Sequence, residues 1–452
     1  MSRDTLKKTC TCTLLLIGLL AGTMGQARQL AHPLSKIRFT FVPLLADANA
    51  VIAEPATRDP VRNRIAVLIA HPGHTNTFNY FLGPQFARRG YPTMMLNYYG
   101  RDETYEEFLA PIAAAVRYLR SLPGVDTVIL LGHSSGGDEL TFYQDVAENG
   151  PKGCQGPNRI YPCGGKNLHD LPKADGMLLL EVFIGAPERA LGVDPAVNNE
   201  YPNVRVRELD MFDARNGFDP KTHSGRYSPA FVRRFYAAQQ LRNQRLLDDA
   251  LARLAKIRRE QGKFRDDEPF TVAGGSEAIN GARLDLADRS LLSHTRYPHP
   301  LLEADGASVI EIIPSLLGGV ATADDLDELY ETAQYVTVRQ YLSFYALRTY
   351  PDFGATADSI NGIDWRSSSD SAVGNVEGIT VPTLVMAGTC AAHLVTNEIV
   401  YEHSAAKDKQ FVGVEGANHF FNPCKPKYGD TVKRTFNYVD AWLTKSDRFA
   451  DH

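Results

Sequence analysis

Short apolar runs that alternate with helical stretches are the feature of this 452-residue chain that most restricts its fold. The runs lie at 65–70, 93–96, 127–131, 177–180, 383–386 and 411–414. Runs of this kind are typical of parallel strands buried on both faces, because the connecting helices cover the sheet. Two segments at 36–42 and 50–53 precede them and predict antiparallel opening strands. The pattern predicts an α/β protein with a mostly parallel sheet flanked by helices.

A long insertion separates the fourth apolar run from the fifth. Residues 186–374 are too many for a loop, so we predict an inserted, mainly helical subdomain. Its clearest element is a helix with Ser228 as N-cap and Pro229 in the first turn. The remaining segments, 28–185 and 375–452, then form the core of the protein.

The N-terminal segment 1–27 has the pattern of a secretory signal peptide. Basic residues precede an apolar stretch at 10–20, and small residues at 25–27 supply a cleavage point. The alternative is a membrane anchor, but a span needs about 20 apolar residues, and threonines and glycines interrupt this stretch. We therefore expect a secreted or periplasmic protein with no stable membrane span once the signal is removed.

Charge and motif spacing argue against several kinds of partner. The 48 Lys and Arg residues against 53 Asp and Glu give a formal charge of −5, which supplies no general attraction to nucleic acid, so we expect no nucleic-acid partner. No Cys or His pair has the spacing of a zinc site. The sequence also lacks a glycine-rich phosphate loop. We therefore expect neither a metal nor another cofactor.

A G-x-S-x-G motif follows the third apolar run directly. It reads Gly132-His133-Ser134-Ser135-Gly136, and a helical stretch follows it. In this strand–turn–helix context the serine hydroxyl projects from the sheet edge at a helix N-terminus, where it can act as a nucleophile. Here the mature chain, except for its insertion, resembles the α/β-hydrolase superfamily. The resemblance implies an α/β-hydrolase fold, a cap formed by 186–374 after the sixth strand, and Ser134 as nucleophile.

The resemblance also implies a histidine and an acid, in the chain order nucleophile, acid, histidine. His419 lies after the last apolar run, at the position of the family's base. The usual position for the acid, after the run that ends at Met386, has no carboxylate before Glu398. Glu181 follows three leucines at the end of the preceding strand, where a minority of α/β-hydrolases carry the acid. We predict Glu181 as the acid and keep Glu398 as the alternative.

The resemblance further implies an oxyanion hole made of two backbone N–H groups. Ser135 follows the nucleophile and supplies the first. The segment His71-Pro72-Gly73-His74 resembles the family's His-Gly loop, so we assign the second to His74, with Gly73 making the turn. His393, in the loop that lacks the acid, is expected at the surface, with substrate contact as the alternative.

Four cysteines remain after removal of the signal, an even number that suits an oxidising compartment. They allow three pairings. Cys154 with Cys163 would close a short loop rich in Gly and Pro. Cys390 with Cys424 is favoured because, in the implied fold, both of their loops border the catalytic centre.

The expected reaction follows from these residues and the resemblance. Ser134 would attack a carboxylic ester or lactone and form an acyl-enzyme. Aromatic residues in the insertion suit a bulky or apolar small-molecule acyl substrate. A peptidase or amidase with the same three groups is the nearest alternative. A non-catalytic binding module is a further one, since some members of the superfamily have lost these groups.

Overall fold

The computed structural model describes residues 37–45, 47–57, 59–71, 76–98, 104–165, 168–197, 204–275, 282–318, 333–446 and 448–449. The predicted signal peptide, residues 1–27, lies outside them. In the first part of the chain the strands are β1 (Ile37–Leu45), β2 (Ala48–Pro55), β3 (Ile65–Ala70), β4 (Thr93–Tyr98), β5 (Thr127–Ser134) and β6 (Gly176–Val182). The later strands are β7 (Phe218–Asp219), β8 (Ser224–Gly225), β9 (Pro269–Ala273), β10 (His294–Leu302), β11 (Ser308–Pro314), β12 (Ala333–Thr337), β13 (Arg348–Ala355), β14 (Ile360–Asp364), β15 (Thr383–Gly388) and β16 (Lys409–Val414).

Within the described ranges, one ten-stranded sheet forms the centre of the molecule, in the order β1-β2-β4-β3-β5-β6-β15-β16-β10-β11. The strands β4, β3, β5, β6, β15 and β16 are mutually parallel; β2 pairs antiparallel with β4, and β1 pairs antiparallel with β2. All six apolar runs are therefore mutually parallel strands of this one sheet. This order, with crossover connections between parallel neighbours, is that of the α/β-hydrolase fold, so the predicted fold class is confirmed.

Helices cover both faces of the sheet. They are α1 (Leu82–Ala87), α2 (Leu109–Ser121), α3 (Gly136–Asn149), α4 (Ala186–Leu191), α5 (Pro229–Arg258), α6 (Leu284–Ala287), α7 (Val338–Gln340), α8 (Ala372–Val376), α9 (Leu394–His403) and α10 (Thr431–Leu443). Leu130 packs with residues of α2, α3, α8 and α9 on one face, whereas Leu131 packs with α1 and α10 on the other. Successive residues of a strand point to opposite faces. Burial on both faces explains why the strands are apolar without interruption.

The insertion between β6 and β15 differs from the predicted helical cap. Its longest helix, α5, begins as expected, because the Ser228 hydroxyl accepts a hydrogen bond from the Phe231 N–H at 3.2 Å. However, β10 pairs parallel with β16, and β11 pairs with β10, so both strands extend the central sheet. Pro298 and Pro300 lie within β10. Proline has no backbone N–H to donate in a sheet, so prolines in a sequence argue against a strand. The sequence pattern therefore did not predict β10.

Two disulfides join the cysteine pairs favoured from the sequence. Cys154 bonds Cys163 and Cys390 bonds Cys424, with Cα–Cα distances of 5.6 and 6.3 Å. The second bridge connects the segment after β15 to the segment after β16. Among the described residues, no helix is both long and apolar enough to span a membrane.

Candidate active site

Ser134 occupies a strained turn between β5 and α3. It is the last residue of the strand, its φ is +54°, and the helix begins two residues later at Gly136. Residues other than glycine rarely adopt this left-handed conformation, and where they do the strain is commonly part of a functional site. The structure thus gives the G-x-S-x-G motif the strand–turn–helix context that a nucleophile requires.

The glycines of the motif are required by close backbone contacts. A Cβ at Gly132 would lie 2.5 Å from the Gly137 Cα. A Cβ at Gly136 would lie 2.2 Å from the Ala70 carbonyl oxygen, at the end of β3. Neither neighbour is a flexible side chain that could move away. The glycines therefore allow α3 to start directly against the sheet, which fixes the position of Ser134.

This packing predicts the effect of adding one methyl group. Gly136→Ala should lower the free energy of unfolding by about 3 kcal/mol, because overpacking against backbone forces a shift of the helix or the strand. Gly164→Ala is the matched control, since no atom lies within 4 Å of the added Cβ. Urea unfolding monitored by circular dichroism measures both variants. Equal stability of the two variants would contradict the close approach of α3 to β3.

Glu181 and His419 lie together although 238 residues separate them in the chain. The Glu181 Oε2 is 3.5 Å from the His419 Nδ1, and its Oε1 accepts a hydrogen bond from the Gly388 N–H. The Glu181 side chain is fully buried, whereas that of His419 is 27% exposed. Like Ser134, Glu181 has a positive φ, +50°. The structure therefore places a buried carboxylate against a histidine that solvent can reach.

Asn397 supports the segment that carries the carboxylate. This fully buried residue of α9 accepts from the Val182 N–H at 3.0 Å and donates to the Val182 carbonyl at 2.8 Å. Both backbone groups of the residue after Glu181 are thus bound by one side chain. Sequence reasoning missed Asn397. Its local sequence gives no signal, because Thr396 and Glu398 flank it and both are polar.

Glu398, the alternative acid, is bound elsewhere. Its Oε1 is 2.8 Å from the His299 Nε2 and accepts from the Tyr297 N–H, and its Oε2 accepts from the Arg296 N–H. These partners all belong to β10, at the far side of the sheet from β5. The structure brings Glu181, and not Glu398, to His419.

His133 connects the motif to the His419 backbone. Its Nε2 is 2.8 Å from the His419 carbonyl oxygen, and its Nδ1 is 2.5 Å from the Tyr80 hydroxyl. A carbonyl only accepts, so Nε2 carries the proton, and the Tyr80 hydroxyl donates to Nδ1. Complete burial lowers the pKa of His133 well below its usual value, which keeps the ring neutral. The middle residue of the motif therefore fixes the loop that holds His419, a role the motif alone did not reveal.

The predicted oxyanion hole is only partly described. Ser135 lies at the N-cap position of α3, directly after Ser134, so its backbone N–H is at a helix N-terminus. Gly73 and His74, predicted to supply the second donor, lie outside the described residues. His71, just before them, packs edge-on against the Tyr80 ring at 5.6 Å.

The Cys390–Cys424 disulfide braces the histidine loop, as the implied fold predicts. Its effect adds to backbone contacts: the Cys390 N–H donates to the Ala417 carbonyl at 2.9 Å, and the Cys424 N–H donates to the Gly416 carbonyl at 2.8 Å. The segment before His419 is therefore held on both sides by covalent and hydrogen-bonded links.

No group of three His, Cys, Asp or Glu residues in the described ranges is arranged to hold a metal ion. The chemistry available to the described site is that of a hydroxyl, an imidazole and a carboxylate. These are the groups of nucleophilic acyl transfer.

Comparisons with known proteins give likeness in structure alone. No protein-family model and no curated protein sequence matches the chain. A hypothetical protein from Pseudomonas aeruginosa is similar at 13% identity and a TM-score of 0.41, over 91% of this chain and 95% of that one. Est1E from Butyrivibrio proteoclasticus has 13% identity and a TM-score of 0.37, over 90% and 97%. Thermogutta terrifontis esterase 2 phosphonylated by sarin has 12% identity and a TM-score of 0.39, over 93% and 99%. The fold follows from the strand order and not from these likenesses.

Proposed function

We propose that the protein is a serine hydrolase that cleaves a carboxylic ester or lactone through an acyl-enzyme intermediate. One observation supports this most strongly. The buried Glu181 carboxylate lies against the Nδ1 of His419, and Ser134, in its strained turn, ends the strand beside the one that carries Glu181. A carboxylate, an imidazole and an activated hydroxyl at one edge of a sheet are the groups that acyl transfer requires.

The reaction follows from the roles of these groups. Glu181 holds the proton of His419 on Nδ1, which leaves the Nε2 lone pair free to accept the Ser134 proton. The Ser134 oxygen then bonds to the substrate carbonyl carbon, and the carbonyl electron pair moves to its oxygen. The electron pair on the oxyanion then re-forms the carbonyl, the bond from the acyl carbon to the leaving alcohol oxygen breaks, and His419 gives its proton to that oxygen. A water molecule then attacks the acyl-enzyme in the same way, with His419 again accepting the proton, and the carboxylic acid leaves Ser134.

The oxyanion formed in each half-reaction requires N–H donors. We assign these to the backbone of Ser135 and His74, with Gly73 making the turn between strand and loop. Each donor of this kind stabilises the transition state by about 3 kcal/mol. The N-terminus of α3 adds a favourable dipole at the same point.

The substrate class is proposed from apolar surface beside the histidine. The Phe420 ring lies 5.2 Å from the His419 ring and is 38% exposed, and the Phe81 ring packs edge-on against it at 5.8 Å. A partly exposed aromatic pair at the site suits a bulky or apolar group of the substrate. The remaining part of 186–374 outside the central sheet would form the cap over this surface.

Export from the cytoplasm is proposed from the cysteines and the N-terminal pattern. Two disulfides persist best in an oxidising compartment. Basic residues followed by an apolar stretch within 1–27 are typical of a signal peptide. We therefore assign the protein to the periplasm or the extracellular space.

Turnover of matched substrates tests the proposed reaction. The assay compares p-nitrophenyl esters of increasing acyl length, aryl lactones and aminoacyl p-nitroanilides. We expect ester and lactone hydrolysis with the highest kcat/KM for apolar acyl groups. Faster cleavage of the anilides would identify a peptidase or amidase instead. Absence of turnover on every substrate would contradict an acyl-transfer enzyme.

A further inference from the structure

His393 lies beside His419 and not at the surface, so the expectation of a surface position is wrong. The residue follows β15, in the loop that lacks the usual acid, and is only 1% exposed. Its ring centroid is 5.3 Å from that of His419. The loop approaches the centre because the Cys390–Cys424 disulfide ties it to the histidine loop. A second imidazole therefore contacts the proposed base.

Glu188 is the partner of this second imidazole. The Glu188 Oε1 is 3.1 Å from the His393 Nδ1, and the Glu188 Oε2 accepts a hydrogen bond from the Arg283 guanidinium. Arg283 is fully buried and also bonds Asp285. Burial raises the pKa of Glu188, but His393 and Arg283 lower it by a larger amount, so that the net pKa is about 2. Glu188 is therefore a fixed negative charge behind His393.

The surroundings favour a proton on His393. Burial lowers the pKa of His393, but the carboxylates of Glu188 and Glu181 outweigh this and the opposing effect of Arg283, so the net shift is upward. His133 also packs against the His419 ring, and burial keeps it neutral. The ionisable groups that face His419 are therefore Glu181 on β6 and His393 after β15.

We propose that His393 is a positioning residue whose charged imidazole, held by Glu188, lies against His419 and opposes a second positive charge on it. The lone pair of the base then stays available to accept the Ser134 proton. Among the described contacts none joins Glu188 directly to His419, so the member of the pair that faces His419 is the His393 imidazole. This inference rests on the proposed role of His419.

The pH dependence of kcat/KM tests this arrangement. In His393→Gln the neighbouring positive charge is lost, so the lower pKa of the kcat/KM profile should rise by about 1 unit. The value of kcat/KM on the plateau should stay within about ten-fold of the wild type. Glu188→Gln should move the profile in the same direction, because His393 then loses the carboxylate that keeps it charged. It serves as the second variant if His393→Gln does not fold.

A second buried His–Glu pair supplies the matched control. His299 and Glu398 are paired at 2.8 Å, and their partners lie on β10 and not at His419. His299→Gln should therefore leave the lower pKa of the profile unchanged. A profile in His393→Gln that coincides with those of the wild type and His299→Gln would overturn the inference.

A measurement without turnover separates this inference from the proposed function. The ¹³Cε1 and ¹Hε1 resonances of His419 can be titrated by NMR in the full chain, in the wild type and in His393→Gln. A higher pKa of His419 in the variant supports the inference even if no substrate is cleaved. An unchanged pKa contradicts it even in an active esterase. In contrast, a wild-type protein that shows no turnover dependent on Ser134 would contradict only the proposed function.

Discussion

Replacing Ser134 with alanine should lower kcat/KM for a p-nitrophenyl ester by about 10⁴-fold or more. The substitution removes the oxygen that bonds to the acyl carbon in the proposed reaction. The melting temperature should remain close to that of the wild type, because a single partly buried hydroxyl is deleted and Gly132 and Gly136 still shape the turn.

The matched control for this prediction is Ser121→Ala. Ser121 ends α2, is exposed, and donates to the Tyr118 carbonyl at 2.7 Å. We expect the kcat/KM of this variant to be within about two-fold of the wild-type value, because substitutions of exposed residues usually have small effects. If Ser134→Ala kept more than about a tenth of the wild-type activity, a different residue would have to be the nucleophile.

The second large effect is expected from Glu181. Glu181→Gln should lower kcat by about 10³-fold to 10⁴-fold, since the amide no longer stabilises the imidazolium or holds the proton of His419 on Nδ1. The fold should persist, because the glutamine oxygen can still accept from the Gly388 N–H. Stopped-flow or steady-state assays at saturating ester, together with thermal unfolding, measure the two effects separately.

Glu398→Gln distinguishes the two candidate acids. Glu398 is bound to His299 and to the backbone of β10. The variant should therefore keep kcat within a few-fold and lose about 1–3 kcal/mol of stability, the usual effect of weakening a buried hydrogen-bonded group. The opposite pattern, a large loss of kcat in Glu398→Gln and little change in Glu181→Gln, would show that the acid has been assigned to the wrong carboxylate.

The parallel strands and the position of Ser134 were predictable from local sequence. Six apolar runs gave the sheet, because burial on both faces removes polar residues from such strands. The motif around Ser134 gave the turn, because only glycine fits where α3 meets β3. The two cysteine pairs were also predicted, the second from the fold that the family resemblance implies.

Contacts between distant segments were not predictable in the same way. Strand β10 contains Pro298 and Pro300, and only its pairing with β16 makes it part of the sheet. His393 follows two alanines and precedes Leu394, and none of these neighbours indicates a carboxylate partner. Its burial depends on Glu188 and Arg283, which other segments of the chain supply.

Reaction with a fluorophosphonate ester, followed by peptide mass spectrometry, tests the assignment of the nucleophile most directly. The oxygen of an activated hydroxyl bonds to the phosphorus of the fluorophosphonate and fluoride leaves, so fast labelling reports Ser134, His419 and Glu181 acting together. We expect a single adduct on the peptide containing Ser134, no adduct in Ser134→Ala, and slow labelling in Glu181→Gln. An intact protein that remains unmodified, or an adduct on any other residue, would contradict Ser134 as the nucleophile.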